Sequence, residues 1–104
     1  MSVQYAEAFK RQLKRLGRKY RRIRADIQPL VDDLVAGQRP GDQIQGAGYT
    51  VYKVRVRNTD ARRGKSGGYR VIYYLVDRDD VLLVTVYSKT EQDDIEAGQI
   101  QVHT

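Results

Sequence analysis

The spacing of apolar residues changes along the chain, and each change predicts an element. Val3–Gln4–Tyr5 alternates over a short run and predicts an edge strand. From Ala6 the period lengthens: Ala6, Phe9, Leu13, Leu16 and Tyr20 recur at three- and four-residue steps, the stripe of an amphipathic helix. Gly17 lies inside that stripe and weakens its last turn. Ile23, Ile27, Leu30, Val31 and Leu34 form a second stripe. Pro29 has no amide hydrogen, so this second helix should either begin near Asp26, with Pro29 in its first turn, or kink at Pro29. Gly37 and Pro40 close it, and the short link predicts an antiparallel helical hairpin.

After Pro40 the period falls to two. From Tyr49 to Arg57, Tyr52, Val54 and Val56 point one way, while Lys53, Arg55 and Arg57 point the other. Tyr69 to Val76 carries large apolar bodies on both sides, as a central strand covered on both faces does. Arg70 is the exception, a fixed positive charge where a glycine-rich basic turn becomes strand. Asp77-Arg78-Asp79-Asp80 is a turn by composition, and Val81 to Tyr87 is the third strand of a meander. Thr90 or Ser88 can cap a short helix over Gln92 to Glu96 that stops at Gly98, beyond which the tail is expected to fray. The order β-α-α-β-β-β with a short C-terminal helix predicts one α+β domain over residues 1–104, its two helices packed on one face of a twisted antiparallel sheet. The other face would gather Lys53, Arg55, Arg70 and Lys89.

Composition narrows the chemistry. With 104 residues there is room for one modest core. The absence of cysteine excludes a disulfide framework and a thiolate metal site. No apolar run is long enough to span a bilayer and no secretory signal is visible, so the simplest reading is a soluble cytoplasmic protein. The formal net charge of +6 attracts nucleic acid or an acidic protein, and equally serves plain solubility. The charge is concentrated. Lys10, Arg11, Lys14, Arg15, Arg18, Lys19, Arg21, Arg22 and Arg24 give nine cations with no intervening acid. Such a run can be a solvated helix face, yet like charges repel at a cost that a partner, RNA or an acidic chain, would repay. Lys53, Arg55 and Arg57 stand roughly 7 Å apart by strand geometry, which suits contact with successive phosphates better than simple edge protection.

The loop from Asn58 to Gly68 adds Arg62, Arg63 and Lys65 as RNA-backbone contacts. Its Gly64-Lys65-Ser66 is not a P-loop: the glycine required five positions earlier is Thr59, and a strand follows where a helix should. The stretch GKSGGYRVIYYL (Gly64–Leu75), followed by VLLVTVYSKTEQDDI, resembles the RelE/HigB group of bacterial toxins within the RelE/ParE superfamily, and the resemblance extends over residues 3 to 97. It implies a toxin of a type II toxin–antitoxin system, a ribosome-dependent mRNA endonuclease silenced by a cognate antitoxin. Partners would be that antitoxin, the ribosome and mRNA, with no membrane and no cofactor. A relative on the same fold that poisons DNA gyrase, and a nucleic-acid-binding module without toxicity, are the alternatives.

Cutting RNA with its own 2′-hydroxyl requires removing that proton, stabilising the phosphorane charge and protonating the leaving 5′-oxygen. The single histidine, His103, lies in the terminal tail and is a poor candidate. The carboxylates of Asp77, Asp79 and Asp80, and of Asp93, Asp94 and Glu96, read as turn and helix-start residues rather than metal ligands. The remaining candidates are basic. Lys53 would take the 2′-proton or neutralise developing charge, and Arg55 and Arg70 would hold the phosphorane oxygens. By resemblance, Lys53 and Arg55 match paired basic positions of the toxins, Arg70 matches the arginine of the GYR motif, and Lys89 lies near a further basic position. Two positions depart from the pattern. Thr90 stands where some members carry arginine, and Glu96 where some carry tyrosine. Tyr73 and Tyr87 are possible substitutes, although packing is the commoner use of a tyrosine.

Overall fold

The computed structural model of the protein describes residues 2–60 and 68–89. Strand β1 (Ser2–Tyr5) leads into helices α1 (Glu7–Lys19) and α2 (Ile23–Val35). Strands β2 (Asp42–Gln43), β3 (Val51–Val56), β4 (Tyr69–Leu75) and β5 (Asp80–Ser88) follow. The sheet has the order β1-β5-β4-β3-β2. The α+β architecture expected from periodicity is therefore present, with β4 at the centre. Two features enlarge it. The N-terminal strand joins β5 in parallel, making the sheet mixed, and β2 adds a short antiparallel edge to β3 that alternation did not reveal. The expected C-terminal helix, the fraying tail and the loop carrying Arg62, Arg63 and Lys65 lie outside the described residues.

Helix α2 begins at Ile23, three residues before the start near Asp26 that Pro29 suggested, and Pro29 lies inside it. Ala25 and Pro29 are both exposed, so water can take the carbonyl of Ala25, whose intrahelical partner the proline removes. Neither helix has a side-chain cap of its own. The start of α2 is instead held from outside. The Arg22 amide donates to Asp60 Oδ2 at 2.7 Å, and Asp26 accepts from the Thr59 amide (2.9 Å) and hydroxyl (2.8 Å). These carboxylates also lie where they favour the positive end of the helix dipole. The C-terminus closes as a Schellman motif: the Gln38 amide bonds the Asp33 carbonyl, the Gly37 amide bonds that of Leu34, and Gly37 takes φ 91°.

One core cluster fills the space between helices and sheet, with Phe9, Leu16, Ile23, Ile27, Leu30 and Leu34 meeting Tyr69, Val71, Tyr73, Val81, Leu83 and Val86. A second apolar cluster, Val51, Ile72, Leu82, Val84 and Tyr87 with Ala6, lies on the opposite face. Strand β5 serves both because its register shifts opposite Ile72 and Tyr73: Ile72 faces Thr85, whereas Tyr73 faces Leu83. Val84 is the extra residue, and such a bulge reverses which residues face which side. Val81 and Leu83 pack under the helices before it, and Val86 does so after it.

The chain after α2 is fastened at Arg39, Pro40 and Gly41. The Arg39 guanidinium donates to the carbonyls of Leu34, Gln38 and Arg78. Gly41 has φ 94°, and a Cβ there would collide with the Lys53 carbonyl. Tyr73 stacks on Tyr52 and donates its hydroxyl to the Pro40 carbonyl. Burial, with Tyr52 second, pushes the Tyr73 hydroxyl above its ordinary value of 10.0, and Arg39 opposes this. The neutral donor form belongs to the fold, so this stabilisation is complete below pH 10 and is lost as pH rises beyond it. Tyr73→Phe should lower stability by about 1–2 kcal/mol at neutral pH by leaving the Pro40 carbonyl without its donor. Denaturant melts above pH 10 should then show a shallower pH dependence for the variant than for the parent chain.

Candidate nucleic-acid interface

Backbone register assembles a basic group on the sheet face away from the helices. Arg70 lies directly opposite Arg55 on β3 and directly opposite Tyr87 on β5. Opposed residues of an antiparallel pair share a face, with Cα atoms about 4.5–5.5 Å apart. Lys53, two residues along β3, faces Ile72 and belongs to the same side. Past the end of β5, the Lys89 amide donates to the Gly68 carbonyl at 3.0 Å, which keeps Lys89 beside the start of β4. Arg57 follows β3 directly and is exposed. The structure thus brings Lys53, Arg55, Arg70 and Lys89 to one face at one end of the sheet.

The bulge is part of this construction. Were β5 regular through Val84, the alternation set by Val81 and Leu83 would carry Tyr87 and Lys89 under the helices. With the bulge, Tyr87 lies beside Arg70. Val86 and Ser88 take the inner side, Ser88 opposite the core residue Tyr69.

Exposure differs sharply among the cations. Arg55 is open to solvent and Lys53 is half-buried. Arg70 is only 4% exposed, and its Nη1 donates to the Tyr69 carbonyl at 3.2 Å. A guanidinium this far from water is costly, and hydrogen bonds to its fixed donors recover part of that cost. Placing Arg55 across from it is unfavourable by the rule for like charges on facing strands. Asp42, across from Lys53, supplies a carboxylate on the far side of β3, a neighbour that sequence spacing did not reveal.

The two candidate tyrosines separate. Tyr87 is buried next to Arg70, whereas Tyr73 projects into the helix-side core and is engaged by Pro40. Tyr73 is therefore removed from the candidate site. The acidic turn is also accounted for structurally: Asp77 Oδ1 accepts from the amides of Asp79 and Asp80. Asp80 Oδ1 accepts from the Ser2 hydroxyl at 2.6 Å, and that bond holds its carboxyl below the ordinary value. Among the described residues no group of three or more His, Cys, Asp or Glu could hold a metal ion, and no helix is long and apolar enough to cross a membrane.

Because Arg55 is exposed and opposes Arg70, Arg55→Thr should leave the fold as stable or raise stability by about 0.2–1 kcal/mol. Thermal melts at low salt test this, and the gain should shrink at high salt as the charges are screened.

The family model described as ParE toxin of type II toxin-antitoxin system, parDE, matches residues 3–93. That span covers the described elements from β1 to β5 except Ser2, the first residue of β1. A chain with a two-helix hairpin over a five-stranded sheet, matched along nearly its whole length, is a toxin of a type II toxin–antitoxin system and belongs to the ParE toxin family, which implies a cognate antitoxin as its partner.

Proposed function

We propose that this toxin is a metal-independent endoribonuclease that cuts ribosome-bound mRNA and so arrests translation. The observation that carries the reading is the placement of Arg55 directly across from a buried Arg70, with Lys53, Tyr87 and Lys89 on the same face. Two facing arginines oppose folding, and an active site is where a fold tolerates such a cost. A phosphate lying over the pair would turn that repulsion into attraction.

The division of labour follows from position. Arg70 is fixed by burial and by its bond to Tyr69, so it offers preorganised charge to the phosphorane oxygens. Arg55, exposed at the surface, approaches from the other side. Lys53, as the neutral amine, takes the 2′-proton as the 2′-oxygen bonds to phosphorus and the bond to the 5′-oxygen breaks. In this reading Lys89, or the hydroxyl of Tyr87, protonates the leaving oxygen. Arg57 contacts the flanking backbone, as do Arg62, Arg63 and Lys65 in the loop outside the described residues. The group holds no imidazole or carboxylate pair for efficient proton transfer. The ribosome therefore supplies substrate geometry, and free RNA should be cut weakly or not at all.

The family match favours a second reading, in which the chain poisons DNA gyrase and cuts nothing. Brief induction in bacteria, with primer extension on abundant transcripts, separates the two. Codon-phased cuts within translated regions are expected. Intact transcripts with an SOS response would assign the chain to gyrase. In the same assay Arg70→Ala should abolish growth arrest, and retained arrest with unchanged cuts would remove Arg70 from the site.

A further inference from the structure

The geometry points to Asp26, a residue of the helical layer, as a positioning residue for the basic sheet face: through Thr59 it sets where Arg57 stands. The inference rests on the reading of that face as an RNA-cleaving site. Val56 is the last residue of β3 and lies opposite Tyr69, so Arg57 is the first position beyond the ladder. Arg57 is exposed, and alternation continues the row of Lys53 and Arg55 to it only while the chain keeps its course past the strand.

That course is held by the next three residues. Asn58 is buried, and its Oδ1 accepts from the Asp60 amide at 2.9 Å. Thr59 gives both its donors to Asp26: its amide meets Oδ2 at 2.9 Å and its hydroxyl meets Oδ1 at 2.8 Å. Asp60 Oδ2 in turn accepts from the Arg22 amide at 2.7 Å. The backbone of Arg57 therefore runs from a strand pair on one side into a buckle of hydrogen bonds on the other.

The bonding of Asp26 separates this role from helix capping. Asp26 lies in the first turn of α2, where its charge favours the helix start. A capping side chain, however, accepts from the first amides of its own helix. Both oxygens of Asp26 accept instead from Thr59, at a sequence separation of 33. Asp26 belongs to the layer behind the sheet, and acts through Thr59 rather than on RNA itself.

The test is cleavage of ribosome-bound mRNA in a purified translation system, with initial rates taken over a range of complex concentrations. The chains compared are the parent, Asp26→Ala, Asp26→Asn, Arg57→Ala and the Asp26→Ala/Arg57→Ala double variant. A peripheral phosphate contact supplies binding that ground state and transition state share, so Arg57→Ala should raise KM about tenfold and leave kcat near the parent's. Asp26→Ala should raise KM by a smaller factor, and the double variant should be no worse than Arg57→Ala alone, because both changes act on one contact. Asp26→Asn keeps a carbonyl oxygen for the Thr59 amide and should recover most of the loss. A merely structural Asp26 would lower the folded fraction, which reduces apparent kcat and leaves KM alone. That result, KM factors that multiply in the double variant, or an unchanged KM in Arg57→Ala would overturn the inference and leave the nuclease reading standing. A parent chain that cuts no message would overturn that reading, and the inference with it.

Discussion

A single bulge in β5 decides which residues share a face with Arg70. The register shift opposite Ile72 and Tyr73 lets one strand supply Val81, Leu83 and Val86 to the helix-side core, and yet turn Tyr87 toward Arg70. A regular strand could not do both, because its faces alternate strictly. The basic group depends on this shift twice. It sets the residue beside Arg70, and it brings Lys89 to the start of β4, where its amide meets Gly68.

The helical layer is coupled to the same end of the sheet by carboxylates. Asp26 and Asp60 link the beginning of α2 to residues 58–60, the segment that leaves β3 just after Arg57. Bonds of this kind, between the start of α2 and a loop, stand in for the local side-chain cap that Arg22 does not provide. They fix the direction in which the chain departs from the basic strand. The arrangement thus uses acidic residues for architecture at the start of α2.

Much of this was legible from periodicity. The two helical stripes, the alternation of β3 and the doubly apolar β4 each report a face that must be buried, and burial is what the structure imposes there. What escaped was set by residues distant in sequence. Pro29 seemed to demand a later helix start, but exposure lets water replace the missing hydrogen bond. Strand β2 is too short for alternation, and its approach to β3 rests on Gly41 lying against the Lys53 carbonyl. Neither the parallel pairing of β1 nor the bulge has a local signal, so Asp42 and Tyr87 could not be recognised as neighbours of Lys53 and Arg70. The placement of Lys53, Arg55 and Arg70 on one face was readable because side-chain parity in a strand follows directly from sequence.

The central claim is that the Arg55–Arg70 face promotes attack by a 2′-hydroxyl. It is tested most directly in a purified translation system, with mRNA carrying a single 2′-deoxy nucleotide at the position cut in the unmodified message. The account predicts that the unmodified message is cleaved and that the single deoxy substitution abolishes the cut at that position. Undiminished cleavage of the deoxy message, or an intact unmodified message in the presence of active toxin, would contradict it.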